Sequence, residues 1–111
     1  MKILDTIVDW KKQEVAQLKA RGVSKPELEV DPPRGFMQAL TQSAEIAMIA
    51  EVKKGSPSTG IISPDFNPTA IDSSYEKGGA KAVSLLTDAT FSYGSLDNIL
   101  LARQAVKSPV I

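Results

Sequence analysis

The spacing of apolar residues changes near residue 46. Before it they recur every three or four positions, and after it they gather in short unbroken runs separated by helical stretches. Leu4, Ile7, Val8, Val15 and Leu18, with Lys11, Lys12, Glu14 and Lys19 between them, predict an amphipathic helix over residues 3–20 that Gly22 ends. Trp10 lies off that stripe and is expected to be a partly buried anchor for the helix. Ser24-Lys25-Pro26-Glu27 reads as the start of a short helix, with Ser24 as N-cap and Glu27 at the capping-box position. Asp31-Pro32-Pro33-Arg34-Gly35 is a rigid connection, and Phe36 and Leu40, four apart, give one more apolar helical face before Gln42-Ser43.

Residues 46–52 are small, β-branched or apolar, the composition of a strand covered on both faces in a parallel α/β sheet. Charge enters only at its carboxyl end. Glu51 and Lys53 are two apart and leave the same face of an extended chain, while Val52 points the other way. Lys54-Gly55-Ser56-Pro57-Ser58-Thr59-Gly60 is then a loop. Asn67-Pro68 is an N-cap with proline at the first helical position, and the helix runs through Ile71 and Tyr75 to Gly78-Gly79. Residues 82–87 form a second buried strand. Gly94-Ser95 leads into a segment of helical period through Leu96, Ile99, Leu100, Ala102 and Val106, and Pro109-Val110-Ile111 opens a third strand. Strand, helix, strand, helix, strand is a right-handed βαβαβ pattern, which by itself allows a doubly wound sheet or a barrel. Three parallel strands alone would expose two edges and an apolar face, so the sequence is expected to be a piece of a larger α/β protein.

Composition removes several classes of function. The 111 residues can bury a core without disulfides or metals, and 13 basic against 13 acidic side chains, spread along the chain, give no electrostatic case for nucleic acid or an anionic membrane as partner. Without Cys or His, neither thiol nor imidazole chemistry is available, and acid–base work falls to carboxylates and lysines. The N-terminus lacks the uncharged apolar core of ~7–15 residues of a secretory signal, and no run approaches the ~20 residues of a membrane span. A soluble, intracellular protein is expected.

The candidate chemistry sits in one stretch. In α/β folds ligands collect at strand carboxyl ends and the loops that follow, which is where Glu51 and Lys53 stand. The backbone N–H groups of the next loop, with Ser56 and the lysines, could hold an anion such as phosphate. Taken alone, Gly/Ser/Pro stretches are also ordinary loops, and a strand-end ion pair contributes little when exposed.

Ile49-Ala50-Glu51-Val52-Lys53-Lys54-Gly55-Ser56-Pro57-Ser58 resembles the strand and loop that open the barrel of the indole-3-glycerol phosphate synthase family. Asp65-Phe66-Asn67-Pro68, residues 75–79, Ser84-Leu85-Leu86-Thr87-Asp88, Gly94-Ser95-Leu96 and Ser108-Pro109-Val110-Ile111 are similar to the family at the matching places, and Arg34-Gly35-Phe36 resembles its N-terminal extension. The resemblance implies an α/β fold that is the N-terminal part of a (β/α)8 TIM barrel, with about three of the eight strands. Residues 1–45 would be a helical extension, and residues 46–111 the first β/α units, breaking off in the third strand. It implies a phosphorylated small-molecule substrate, 1-(2-carboxyphenylamino)-1-deoxyribulose 5-phosphate, converted to indole-3-glycerol phosphate with loss of carbon dioxide and water in the cytoplasm, without a cofactor. Lys53 would be proton donor or positioning cation and Glu51 its acid–base partner, with Ser56, Pro57, Leu86 and Phe91 lining the substrate. Where the family often has two adjacent aromatics, this sequence has Phe91 and then Ser92, leaving Tyr93 as a further ring. In the family another lysine follows directly after the third strand, and a further glutamate and glycine-rich phosphate loops come from later strands. The chain alone is therefore expected to be inactive, and to self-associate, need the remaining half, or remain partly unfolded.

Overall fold

The computed structural model describes residues 2–25, 27 and 31–111. They group into two compact units, residues 1–30 and 31–111. The first holds helix α1 (Ile3–Arg21), close to the predicted bounds. Gly22 stops it at φ 78°, with its N–H on the Leu18 carbonyl. Asp5 in the first turn and Lys19 and Arg21 in the last complement the helix dipole. Trp10 is 41% exposed, and its Nε1–H donates to Glu14 Oε1 at 3.0 Å. One helical turn brings that polar partner within reach, so the indole edge is satisfied in water. The helix expected from Ser24 falls largely on residues outside those described.

In the second unit, residues 31–35 lead without regular structure into α2 (Phe36–Thr41). The strand β1 (Ile49–Val52) pairs in parallel with β4 (Ala82–Leu85), with Ala50 opposite Val83 and Val52 opposite Leu85. Val110 bridges to Val83 in parallel, and Ile111 N–H donates to the Val83 carbonyl at 2.9 Å, so residues 109–111 continue the sheet on the far side of β4. Between the strands run α3 (Pro68–Lys77) and α5 (Asp97–Ala105). Asn67 caps α3 by accepting from Ala70 N–H at 3.1 Å, as the Asn-Pro pair predicts.

One face of the sheet carries the core. Val52, Val83 and Leu85 are buried with Ala102 of α5, and Phe66, Ile71, Tyr75 and Val110 pack against them. Full burial of a valine contributes about 1.5–3 kcal/mol, so Val52 and Val83 anchor this face. The other face is open along β1. Along β1 burial alternates, with Ile49 and Glu51 exposed and Ala50 and Val52 buried, so these strands taken alone leave one face uncovered, as expected for a piece of a larger sheet. The helices α3 and α5 cover the buried side. At the start of β4, α2 lies against the strand, and Ala82 is fully buried although the register puts it on the same face as Glu51. The carboxyl end of that face has no such cover.

Two short elements were expected only as loop. Gly55–Ser56 (β2) and Gly60–Ile61 (β3) form an antiparallel hairpin, and Ala89–Ser92 forms a short helix, α4, capped by the Asp88 side chain on Phe91 N–H. Each is fixed by contacts between residues close in sequence but too short to leave a periodic signal.

Candidate active site

Strand β1 delivers Glu51 and Lys53 to the open face by simple alternation: Ala50 and Val52 point into the core, and the residues between them point away. Two strand residues advance roughly 7 Å, so the carboxylate and the ammonium can touch opposite ends of a small ligand. Among the described residues, neither side chain has a hydrogen-bond or ion-pair partner. The Glu51 backbone is held instead, its carbonyl accepting from the Tyr75 hydroxyl of α3 at 2.9 Å. This fixes the strand end while leaving the carboxylate free.

The register adds neighbours that periodicity could not. Ser84 lies opposite Glu51. Leu86, whose N–H donates to the Val52 carbonyl at 3.3 Å, directly follows Leu85, the partner of Val52. Of these residues the register sets Glu51 beside Ser84, which was not among the candidate site residues, and holds Leu86 one position beyond the paired stretch. Only the pairing of β1 with β4 could have found Ser84.

Ser56 is placed differently from the loop residue that was expected. It is buried in the hairpin, and its Oγ accepts from Thr59 N–H at 3.2 Å and lies 3.3 Å from Ser58 Oγ. The hydroxyl and one turn N–H are therefore engaged within the turn itself, which includes exposed Pro57. The Ile62 and Ser63 N–H groups both close on the Lys54 carbonyl, pinning the base of the hairpin. Half-buried Phe91 sits in α4, which packs against β2. Tyr93 joins the two segments. Its backbone is left-handed at φ 58°, and its ring lies so close to Gly55 that a Cβ there would come 2.5 Å from Cδ2. A glycine at 55 is what lets this aromatic ring lie on the hairpin.

Parallel strands with α3 and α5 on one face, and an unpaired carboxylate and lysine on the other at the strand ends, define an α/β protein of the kind that does its chemistry at strand carboxyl ends. Known proteins narrow this class. A profile of the family described as indole-3-glycerol phosphate synthase matches residues 4–111. The chain is 48% identical over 113 residues to the indole-3-glycerol phosphate synthase of Desulfotalea psychrophila, covering 98% of this chain and 44% of that protein. It is 46% identical over 117 residues to that of Rippkaea orientalis and 45% over 113 residues to that of Acinetobacter baylyi, covering 98% of this chain and 39% and 42% of those proteins. The chain belongs to the indole-3-glycerol phosphate synthase family. It spans about two fifths of the length of these relatives. The family implies a TIM barrel, and the chain is an α/β structure with few strands.

Proposed function

We propose that this chain supplies the first wall of an indole-3-glycerol phosphate synthase active site, with residues 1–45 as a helical extension and residues 46–111 as the opening β/α units of a TIM barrel. The observation that carries the reading is the pair Glu51 and Lys53 on the open sheet face, unpaired at the strands' carboxyl end. The reaction closes a ring on the ketone carbon of 1-(2-carboxyphenylamino)-1-deoxyribulose 5-phosphate. A carbon–carbon bond forms, the aryl carboxylate leaves as carbon dioxide, and the former ketone oxygen leaves as water. That oxygen must gain protons and a ring position must lose one, which requires a positioned acid and a positioned base. The Lys53 ammonium donates or stabilises charge at the oxygen, and the Glu51 carboxylate accepts a proton or orients the lysine. Leu86 supplies apolar lining, Phe91 offers a ring to the aryl group, and Ser56 and Pro57 shape the hairpin next to the site. No cofactor takes part in this scheme, and the cytoplasm is its setting.

Steady-state assay of the full-length protein that carries this chain tests the reading. Lys53→Ala and Glu51→Gln are each expected to lower kcat/KM by about 10²–10⁴. Wild-type rates in both variants would overturn it.

A second reading, self-association or complementation by the rest of the barrel, is favoured by one observation. Met48, Ile49, Ile61, Ile62 and Ile111 are exposed apolar residues in and around the sheet. Such surface seeks cover. A well-folded, strictly monomeric 111-residue chain in analytical ultracentrifugation would count against it.

A further inference from the structure

Asp72 has no role in that site, yet it is fully buried, and neither carboxyl oxygen finds a hydrogen-bond donor. It lies four residues after buried Pro68 on α3, between Ile71 and Tyr75, which pack on the core. A buried carboxylate without a partner is among the costliest groups a fold can hold.

The charged groups on the surrounding elements are all engaged or turned elsewhere. On α3 itself, Glu76 Oε2 accepts from Lys107 N–H, Ser108 N–H and Ser108 Oγ, and Lys77 is exposed. On α5, Arg103 donates to the Asp31 and Pro32 carbonyls, and Asp97 is exposed at the helix start. Arg34 is committed to backbone carbonyls at the end of α5. Strand β1 offers only Glu51, on the opposite face, β4 has no charged residue, and Asp65 before α3 is exposed. Tyr75, one turn beyond Asp72, donates to the Glu51 carbonyl. The seating of α3 therefore fixes the end of β1.

We propose that Asp72 is a proton-operated latch: as the neutral acid it lets α3 seat on the sheet, and its ionisation lifts α3 and frees the Glu51 carbonyl from Tyr75. Burial raises the Asp72 pKa from 3.8 to about 6. The folded state therefore holds this proton more tightly than the unfolded chain. The stability it confers is complete below pH 3.8 and is lost as pH rises through 6. Across that window the folding equilibrium constant falls by about a hundredfold, of which about tenfold falls between pH 5 and 7.5. The consequence for Glu51 and Lys53 rests on the function proposed above. The latch itself does not.

The test uses urea unfolding of the full-length protein that carries this chain, by circular dichroism between pH 5 and 7.5, with carboxyl 13C NMR of aspartate-labelled protein. Glu76, whose pKa is lowered chiefly by the Ser108 hydroxyl, stays ionised throughout this range. The unaltered chain is expected to lose stability as pH rises, Asp72→Asn to lose that slope, and the Asp72 resonance to titrate near 6. An Asp72 resonance that titrates with ordinary carboxylates overturns the proposal, as does an unchanged slope in a folded Asp72→Asn. If that variant fails to fold, the NMR titration of the unaltered chain decides. Neither readout uses substrate, so the latch and the proposed activity fail separately.

Discussion

Arg34 ties the segment before α2 to the far end of the unit. One guanidinium nitrogen donates to the Val106 and Ser108 carbonyls, and the other to the Arg103 carbonyl at 2.8 Å and Asp31 Oδ2 at 3.1 Å. These carbonyls belong to the last turn of α5 and the approach to residue 109, where backbone acceptors run out of helical donors. The arginine thus acts as a C-terminal cap delivered from about seventy residues away, and its positive charge suits the helix's negative end. Its side chain is 17% exposed, so water replaces the lost bonds poorly. Three carbonyl bonds at about 1 kcal/mol each set the expected loss for Arg34→Met at about 3 kcal/mol. The ion pair adds little, because Asp31 is 72% exposed. Arg34→Lys keeps the charge but not the planar fork, and is expected to lose about half as much. Trp10, the one tryptophan, lies in the other unit, so urea unfolding is followed by far-ultraviolet circular dichroism. With a slope of about 1–1.5 kcal/mol per molar urea, the Met variant's midpoint falls by about 2–3 M. A Met variant that loses less than about 1 kcal/mol would refute the argument. So would an Asp31→Ala variant costlier than Arg34→Lys.

Gly55→Ala places a Cβ 2.5 Å from both the Gly60 carbonyl oxygen and Tyr93 Cδ2, so the hairpin or the ring must move. It is expected to cost about 1–3 kcal/mol and to speed hydrogen exchange at the Ile62 and Ser63 amides; unchanged exchange would contradict the packing. Glu76→Gln weakens the carboxylate's hold on Ser108 and Lys107, by about 1 kcal/mol or less at pH 7 given its exposure. Because those donors lower the Glu76 pKa, its contribution is present above the ordinary carboxylate range and is lost as pH falls through the lowered value. Variant and parent should converge in stability as pH falls through that lowered value, and a gap that stays constant down to acid unfolding would sink the idea.

Much of the fold was legible from residues that act on their neighbours. Asn67-Pro68 starts α3 because side chain and ring act within one turn, and Gly22 stops α1 in the same way. The runs at β1 and β4 read as strands because their composition is local, and alternation put Glu51 and Lys53 on one face. The reading failed where neighbours in space decide. Composition could not say that Ser84 lies opposite Glu51, nor that the Tyr75 hydroxyl holds the Glu51 carbonyl. The hairpin that holds Ser56 and the short helix that holds Phe91 were missed for a different reason, since both are local but too short to leave a periodic signal.

The sequence by itself determined the order of strands and helices, the charged strand end and the family, since these depend on residue types and short spacings. Tertiary structure alone decided that Ser84 faces Glu51, that Tyr75 holds the Glu51 carbonyl, that Arg34 caps a helix from afar, and that Asp72 lies buried without a partner. Each of these depends on which distant segments exclude water from one another. That is fixed only when the helices close on the sheet, and no local spacing records it.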